Sequence, residues 1–390
     1  MNFDKPIERR GTYSSKWDSM EKAFGLSSQE GLGMWIADMD FEAGEFLQER
    51  IRDLLRRRNY GYFSDRDRFS HATAWWMQNR HDWQIDPAWC FTTGGLGNGI
   101  ALSIQAYTDP SDKIAIFTPV YHEFTMKIRN AGRQVVELPL VKVDGVFRMD
   151  FDAYQSMLDG TEKMVLFCSP HNPAGRVWSA EEITELCEFC ARNDLILVAD
   201  EIHHDLVFSG HNHTPTQKIA NGVVDKLILT TSASKTFNIA GTRTGCVMIP
   251  DPKMHQTYHK LITALNIEPN LFGVELGCAA YSPEGAEWVD QLVPYLEGNY
   301  RTFADGINAI PGASLMPMQG TYLSWADFAG TGMDFKEIQR RVVKVAKIAP
   351  TPGPSLGKGG ETCMRFNIGT QHANIVEAVE RLQTAFSDLQ

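Results

Sequence analysis

The chain has 390 residues, of which 43% are hydrophobic and 22% are charged, and its formal net charge is −11. This length allows two or three domains, or one large α/β unit with an appendage, and so leaves room for a sizeable buried site. No run of about 18 apolar residues predicts a membrane span. The acidic balance argues against a nucleic-acid-binding protein, because such proteins concentrate basic residues on one surface.

The N-terminus and the cysteines indicate a cytoplasmic protein. Residues 1–10 mix charges of both signs and lack the apolar core of a signal peptide. The seven cysteines are scattered without the spacing of a disulfide framework, as expected in a reducing compartment. Cys187 and Cys190 form a C-x-x-C pair, but no second pair stands at zinc-ligand spacing, so we interpret them as helix packing and expect no metal site.

Short apolar runs bounded by turn residues predict buried strands at 113–117, 135–140, 164–168, 195–199, 227–231 and 245–249. Helical patterns follow Gly95 and Tyr121 and also occupy 179–192, where Ser179 is the predicted N-cap. Strands that alternate with helices indicate an α/β fold with a mostly parallel sheet covered on both faces.

The region beyond about residue 270 is more helical and predicts a second, smaller domain. Amphipathic runs at 335–345 and 373–389 predict helices in it. The Gly/Pro-rich stretch 351–360 predicts a mobile loop.

Polar residues at the ends of three predicted strands are the candidates for chemistry. Lys235 follows the strand at 227–231, where burial would lower its pKa and make it a nucleophile, although a surface lysine in a turn also fits this segment. Asp200 ends another strand and is either a partner for a protonated pyridine nitrogen or a helix N-cap. Asn172, in an Asn-Pro turn, either donates to a ligand oxygen or is structural.

The order of these segments resembles the fold-type I enzymes that use pyridoxal 5'-phosphate (PLP), which have the aspartate aminotransferase fold. Asn-Pro-x-Gly at 172–175 is followed by Asp200, then by Ser-x-Ser-Lys at 232–235 and by Arg243. The resemblance spans nearly the whole chain. It implies a large PLP-binding domain with a mostly parallel sheet at 46–275, a smaller α/β C-terminal domain at 276–390, and an N-terminal segment at 1–45 that packs with the small domain.

Site roles follow from this resemblance. It implies that Lys235 holds PLP as a Schiff base, that Asp200 meets the pyridine nitrogen and that Asn172 meets the phenolic oxygen. The cofactor phosphate would be held by two sets of groups. One is the glycine-rich turn that opens a helix, with Gly94, Gly95 and Leu96, and the other is the side chains of Ser232, Ser234 and Arg243. The spacing of this glycine-rich turn does not match the G-x-G-x-x-G pattern of a dinucleotide loop.

Three more positions match the family. Tyr121 falls where an aromatic side chain stacks on the cofactor ring, and it joins Lys235 and Asp200 as a candidate catalytic residue. Arg365 falls where a guanidinium clamps the substrate carboxylate. Tyr60 matches a tyrosine that reaches the phosphate bound to the neighbouring subunit, which implies a homodimer with shared sites.

Narrower motifs are similar to those of the MalY/PatB-type carbon-sulfur lyases, also called cystathionine β-lyase-like. These motifs are Lys-Trp-Asp at 16–18, Trp-Ile-Ala-Asp-Met-Asp-Phe at 35–41, Tyr-Gly-Tyr at 60–62, Pro-Val-Tyr-His at 119–122 and Asp-Glu-Ile-His at 200–203. His203 replaces the tyrosine of typical aminotransferases, so we expect it near the phenolic oxygen unless it is a core histidine; His204 should point elsewhere. The glycine-rich loop 94–99 and Ala174 depart from the group's pattern, which puts substrate preference in doubt.

The resemblance implies β-elimination on a sulfur-containing amino acid, such as cystathionine or a cysteine S-conjugate, to give pyruvate, ammonia and a thiol. The alternative is a PLP-dependent aminotransferase, which no residue named above forbids. A third reading is a binding or regulatory protein that retains the PLP fold.

Overall fold

The computed structural model describes residues 1–65, 67–220 and 222–389. The strands are β1 Leu32–Met34, β2 Cys90–Thr93, β3 Lys113–Thr118, β4 Gln134–Pro139, β5 Val141–Val143, β6 Val146–Arg148, β7 Glu162–Cys168, β8 Ile196–Asp200, β9 Leu227–Thr231, β10 Gly245–Met248, β11 Ser314–Leu315, β12 Leu323–Asp327, β13 Ile348–Pro352 and β14 Cys363–Asn367. The α-helices are α1 Ser15–Asp18, α2 Met20–Phe24, α3 Glu45–Arg57, α4 Arg68–His81, α5 Leu96–Tyr107, α6 His122–Asn130, α7 Phe151–Met157, α8 Ala180–Arg192, α9 Thr216–Ala220, α10 Pro252–Ala264, α11 Leu271–Ala280, α12 Pro283–Asn308, α13 Phe335–Gln339 and α14 His372–Ala385.

The larger sheet has seven strands in the order β2-β10-β9-β8-β7-β3-β4. Strands β9, β8, β7, β3 and β4 are parallel, whereas β10 runs antiparallel to both of its neighbours. All six strands predicted from apolar runs are present, and the mostly parallel sheet is confirmed. The carboxyl ends of β2, β3, β7, β8 and β9 therefore meet at one edge, which also contains the start of β10.

Both faces of this sheet are covered, which explains why its strands read as continuous apolar runs. Successive residues of β3 point to opposite faces: Ile114 and Ile116 lie in one hydrophobic cluster, while Ala115 and Phe117 lie in the other. The predicted α8 begins with a capping box, in which Glu182 N donates to Ser179 Oγ over 3.2 Å and Ser179 N donates to Glu182 Oε2 over 2.9 Å. Cys187 and Cys190 on this helix are buried in the second of these clusters, in agreement with helix packing.

The second sheet has five strands in the order β1-β13-β14-β12-β11. The smaller α/β domain implied by the family resemblance includes such a sheet, but no local pattern predicted its individual strands. The region beyond residue 270 is thus not only helical, because it supplies four of these strands. The N-terminal β1 pairs with β13 in parallel. The predicted helix at 335–345 divides into α13 and a π-helical segment Arg340–Val345, and α14 matches the predicted helix at 373–389 in its first part.

The predicted loop at 351–360 is more ordered than its Gly/Pro content indicated. Thr351 and Pro352 end β13, and Gly353–Leu356 form a 3-10 turn. The glycines serve close packing, since a Cβ atom on Gly353 would lie 2.3 Å from the carbonyl oxygen of Gly360. The Gly/Pro content correctly indicated an interruption of regular secondary structure here, but it did not reveal that the residues of this turn are closely packed.

None of the helices in these three described ranges is long and apolar enough to cross a membrane. The cytoplasmic location and the domain boundaries near residues 45 and 275 stay predictions.

The segment 35–41 joins the two sheets and is held by a buried ion pair. Lys16 Nζ lies 2.6 Å from Asp40 Oδ2, and the two side chains are 0% and 4% exposed. Asp40 Oδ1 also accepts hydrogen bonds from Trp17 Nε1 at 2.9 Å and from Arg9 Nη1 at 3.0 Å. Such a pair is costly to break, because the remaining charge stays buried without its partner.

We predict that Asp40→Ala lowers the free energy of unfolding by about 3–5 kcal/mol, because it leaves the Lys16 ammonium buried without its counter-ion. Glu42→Ala is the matched control, since Glu42 pairs with Lys5 where both side chains are more than half exposed, and it should cost less than about 1 kcal/mol. Urea unfolding of both variants measures the difference. Equal losses in the two variants would show that the buried pair is not what holds this segment.

Candidate active site

Five residues predicted from the sequence meet at the carboxyl edge of the larger sheet. Gly94 follows β2, Tyr121 follows β3, Asn172 follows β7, Asp200 ends β8 and Lys235 follows β9. All five line one cavity of about 420 Å³. This is the edge at which open α/β sheets bind their ligands.

Lys235 projects into this cavity, and its Nζ donates to the carbonyl oxygen of Ala37 at 2.6 Å. Burial lowers the pKa of Lys235 to about 8, with a further lowering by Arg365, while the carboxylates of Asp38 and Asp200 oppose the shift. At pH 7 such a pKa leaves roughly a tenth of the amine unprotonated. Lys235 can therefore act as a nucleophile or as a base near neutral pH.

Asp200 lies on the floor of the same cavity and is 4% exposed. Burial raises the pKa of Asp200 to about 7, although Lys235 and the backbone N–H of Ile202, which donates to Asp200 Oδ1 at 3.2 Å, both favour the charged form. This carboxyl group therefore exchanges a proton near neutral pH and is suited to face a cationic ligand atom.

Arg365, on β14 of the smaller sheet, reaches the larger sheet through Asn172. Its Nη1 donates to Asn172 Oδ1 at 2.8 Å, and its Nη2 donates to Trp35 O at 2.6 Å and to Thr351 Oγ1 at 2.9 Å. Its Nε is buried without a hydrogen-bond partner. Burial lowers the pKa of Arg365 to about 10, so the guanidinium is charged at pH 7 and can bind an anionic group.

The glycine-rich turn opens α5 at one end of the cavity. Gly95 has φ +96°, a conformation that favours glycine, and Gly94, Gly95 and Leu96 all line the cavity. The first N–H groups of a helix have no acceptor within the helix, so they can bind an anion. The predicted Ser234 and Arg243 lie at the same end, and the Arg243 side chain has no hydrogen bond or ion pair with any described residue.

Three predicted residues do not line this cavity, namely Arg365, described above, and Ser232 and Tyr60. The Ser232 hydroxyl is buried and donates to the carbonyl oxygen of Thr244 at 2.6 Å, and its oxygen accepts the Ser234 N–H at 3.1 Å, so it supports the turn from behind. The Tyr60 ring is 50% exposed and lies 5.7 Å from the ring of Phe272. Ser232 thus meets the site through Ser234, whose Oγ lies 3.0 Å from its own, whereas the ring of Tyr60 packs against Phe272 outside the cavity.

His203 and Tyr121 form part of the cavity wall. Burial lowers the pKa of His203 well below its usual range, so the ring is neutral at pH 7, and its Nδ1 has no hydrogen-bond partner. Burial raises the pKa of Tyr121 to about 12, so the phenol keeps its proton. His204 points away from the cavity, as the sequence predicted, because its Nδ1 lies 2.7 Å from the carbonyl oxygen of Glu201 and 2.8 Å from Thr231 Oγ1.

A second cavity, of about 740 Å³, adjoins the first at Tyr121 and Lys235. Its walls include the apolar side chains of Phe24, Trp35 and Met126 and one edge of the Arg365 site. A ligand held between Lys235 and Arg365 would direct a substituent into this mostly apolar space.

The sequence profile of the family described as "Aminotransferase class I and II" matches residues 37–382. The chain belongs to this family. Cystathionine beta-lyase PatB of Bacillus subtilis (strain 168) is 35% identical over 390 residues, which cover 99% of this chain and 100% of PatB.

Solved structures agree with this assignment. A PLP-bound putative aminotransferase from Clostridium difficile 630 has a TM-score of 0.94 at 32% identity and covers 99% of both chains. A PLP-bound C-S lyase from Staphylococcus hominis has a TM-score of 0.90 at 28% identity and covers 100% of this chain and 98% of its own. The aspartate aminotransferase-like fold predicted from the sequence is confirmed.

In this member of the aminotransferase class I and II family, sequence reasoning missed the contacts of the segment 35–38. Its carbonyl groups accept hydrogen bonds from Lys235 and Arg365, as described above, and Asn367 Nδ2 donates to Ile36 O at 2.6 Å and to Asp38 O at 2.8 Å. The Trp-Ile-Ala-Asp-Met-Asp-Phe motif at 35–41 marked the segment as informative, but backbone acceptors have no residue signature.

Lys127 was also missed. It lies on α6 and lines the first cavity. Its Cε would lie 3.0 Å from a Cβ atom placed on Gly97. It therefore adds a positive charge beside the glycine-rich turn. Its spacing four residues after Glu123 signalled only a helical ion pair.

We predict that the Lys235 amine reacts with cyanate with an apparent pKa of about 8, because burial disfavours its ammonium form. The protein is first dialysed against hydroxylamine, which removes any carbonyl compound from the amine, and carbamylation is then followed by mass spectrometry across pH. Asp200→Asn should shift the midpoint to lower pH, since it removes a carboxylate that favours the ammonium. The exposed Asp152→Asn is the control. A midpoint near 10.5, the ordinary lysine value, would contradict the desolvated site.

Proposed function

We propose that this chain is a PLP-dependent carbon-sulfur lyase. It converts an L-amino acid that has a sulfur substituent on Cβ, together with one water molecule, into a thiol, pyruvate and ammonia. The observation that carries the proposal is that Lys235 lies between two adjoining cavities, one lined by Asp200 and the other by Arg365, in a chain of which 99% aligns with a cystathionine beta-lyase.

The residues at the site fit PLP by the chemistry of their donors. Lys235 supplies an amine of lowered pKa for the aldehyde, and Asp200 supplies a buried carboxyl group for the pyridine nitrogen. The cavity end formed by the α5 N-terminus, Ser234 and Arg243 collects N–H, hydroxyl and cationic groups that suit a phosphate. Asn172 and the unpartnered Nδ1 of His203 offer polar atoms between these two ends.

The protein's own groups perform the remaining tasks. When bound, PLP supplies an electron sink for the bond between Cα and its hydrogen. The Arg365 guanidinium binds the substrate carboxylate, for which its buried Nε is free. Lys235 Nζ takes the Cα proton as a base and later returns a proton to the departing sulfur. Asp200 holds the proton of the pyridine nitrogen through its carboxylate.

The second cavity would accommodate the sulfur substituent of the substrate. Phe24, Trp35 and Met126 offer apolar contacts beside Lys235, which suits S-alkyl groups of increasing size. The sulfur would leave toward this space, while the carboxylate stays on Arg365.

An aminotransferase is the second candidate, because the relative from Clostridium difficile is described as a putative aminotransferase. The residues that bind the carboxylate and remove the Cα proton serve both reactions equally. The two differ in the fate of the Cβ substituent, so products distinguish them.

We predict that the holoenzyme releases pyruvate and thiol in equal amounts from cystathionine, cysteine or S-alkyl cysteines without any keto acid. Lys235→Ala should lower both rates by at least about 100-fold, because it removes the base. Lys253→Ala, an exposed lysine on α10, is the control. Amino transfer to an added keto acid without pyruvate release would establish the aminotransferase, and PLP binding without either product would establish a binding role.

We also propose that two copies of the chain form a homodimer in which Tyr60 of one copy reaches the phosphate bound by the other. The support is that Tyr60 is half exposed and lies outside the cavity of its own copy, and that the nearby Tyr62 is fully exposed. Large aromatic side chains at the surface are typical of interfaces.

We predict that Tyr60→Phe weakens PLP binding by about 10- to 100-fold, because a hydrogen bond to a charged phosphate contributes about 1.5–3 kcal/mol. Spectroscopic titration with PLP measures this, and sedimentation reports the oligomeric state. Tyr62→Phe is the matched control and should bind PLP like the wild type. A monomer in sedimentation, or equal affinities for both variants, would refute the shared site.

A further inference from the structure

A second polar cluster lies behind the candidate active site, on the far side of the loop that follows β8. His81 at the end of α4 and His204 on this loop both approach Asp205: His81 Nε2 lies 3.0 Å from Asp205 Oδ1, and His204 Nε2 lies 3.2 Å from Asp205 Oδ2. Each of the three residues offers one possible metal-ligand atom, and these three atoms all lie within 4.8 Å of one another. The side chains are 6%, 1% and 1% exposed. None of these groups lines the cavity around Lys235.

His204 Nε2 is the atom that indicates a missing ligand. It is buried and has no hydrogen-bond partner, although Asp205 Oδ2 is only 3.2 Å away. The two atoms are thus not aligned as donor and acceptor. On the other side of the ring, Nδ1 lies within hydrogen-bond distance of the carbonyl oxygen of Glu201. A backbone carbonyl bound to one ring nitrogen fixes the tautomer that leaves the other nitrogen free to coordinate a metal.

The charges of the cluster also call for a cation. Asp205 and Glu201, four residues before it, are buried carboxylates, and among the described residues their ion pairs are made with histidines alone, without lysine or arginine. Asp205 is further held by Trp76 Nε1 at 2.8 Å and by Thr236 Oγ1 at 2.9 Å. A divalent ion bound by neutral imidazoles would balance these two carboxylates.

We propose that His81, His204 and Asp205 form a structural site for Zn²⁺, with His213 as the fourth ligand. Imidazole nitrogen and carboxylate oxygen are zinc ligands, and tetrahedral bonds of about 2.0–2.1 Å place ligand atoms about 3.3 Å apart. Here each histidine nitrogen lies 3.0 Å or 3.2 Å from one oxygen of Asp205, and the three ligand atoms lie within 4.8 Å of one another. His213 lies outside the group of ligand atoms within 4.8 Å, so its ring would shift toward the ion. Its Nδ1 is buried without a partner, its Nε2 lies 3.0 Å from Glu201 Oε2, and its ring centre lies 5.9 Å and 6.2 Å from those of His81 and His204.

The site would brace the active site without taking part in its chemistry. It ties α4 to the loop whose other face presents Asp200 and His203, and through Asp205 it reaches Thr236, the neighbour of Lys235. Because the ligands are enclosed, the ion would enter during folding and stay bound, as in closed structural zinc sites. This departs from the expectation of no metal, since the four ligands are spread from residue 81 to residue 213 without a recognisable spacing.

The test is the metal content of the PLP-loaded protein expressed with added zinc. We expect roughly one zinc per chain in the wild type and at least a tenfold lower content in His204→Ala. His211→Ala, which removes an exposed histidine of the same region, is the matched control and should keep its zinc. Substoichiometric metal in the wild type, below about a tenth per chain, or equal zinc in His204→Ala and the wild type would overturn the proposal.

A measurement on the wild type alone protects the test against misfolding of the variant. Protein expressed with Co²⁺ in place of zinc should show the visible ligand-field bands of a tetrahedral nitrogen-oxygen site, separate from the absorption of PLP. Absence of these bands would show that protonated histidines balance the two carboxylates instead. The result does not depend on whether the enzyme is a lyase or an aminotransferase.

Discussion

The burial of charge at one edge of the larger sheet is the constraint that the rest of the site obeys. Desolvation lowers the pKa of Lys235 to about 8 and that of Arg365 to about 10, and it raises the pKa of Asp200 to about 7. Each shift favours the neutral form, so each charge persists only where hydrogen bonds or opposite charges support it. The same contacts therefore set both the stability of the site and its protonation.

Most of that support comes from the contact between the two sheets. Arg365 belongs to the smaller sheet, yet one of its hydrogen bonds ends on Asn172 of the larger one, and the segment 35–38 accepts bonds from both Lys235 and Arg365. Neither sheet alone presents the lysine and the arginine to a common ligand. The site thus forms where the two sheets pack against each other. Lys16 and Asp40 stabilise it indirectly, because their ion pair anchors the segment 35–41.

The parts of the structure that could be predicted are those in which a reactive or polar side chain directly follows a recognisable pattern of secondary structure. Strands buried on both faces read as apolar runs, and polar residues at their ends marked Asn172, Asp200 and Lys235. The strands of the smaller sheet were not predicted from local pattern, because they are short or contain buried polar residues, as β14 does with Arg365 and Asn367. The carbonyl acceptors of 35–38 and the approach of Lys127 to the glycine-rich turn depend on tertiary placement, which no local pattern encodes.

The loop at 200–205 shows how many titratable groups can be buried together. Asp200 and His203 face the cavity, whereas Glu201, His204 and Asp205 face the protein interior, where Glu201 accepts hydrogen bonds from His213 and from the Thr216 N–H. The carboxylates on the interior face form ion pairs with His81, His204 and His213, and Glu201 adds to the rise in the pKa of Asp200 that burial causes. The loop therefore uses different side chains to line the cavity on one face and to anchor itself on the other, and a substitution at Glu201 should alter both the position and the pKa of Asp200.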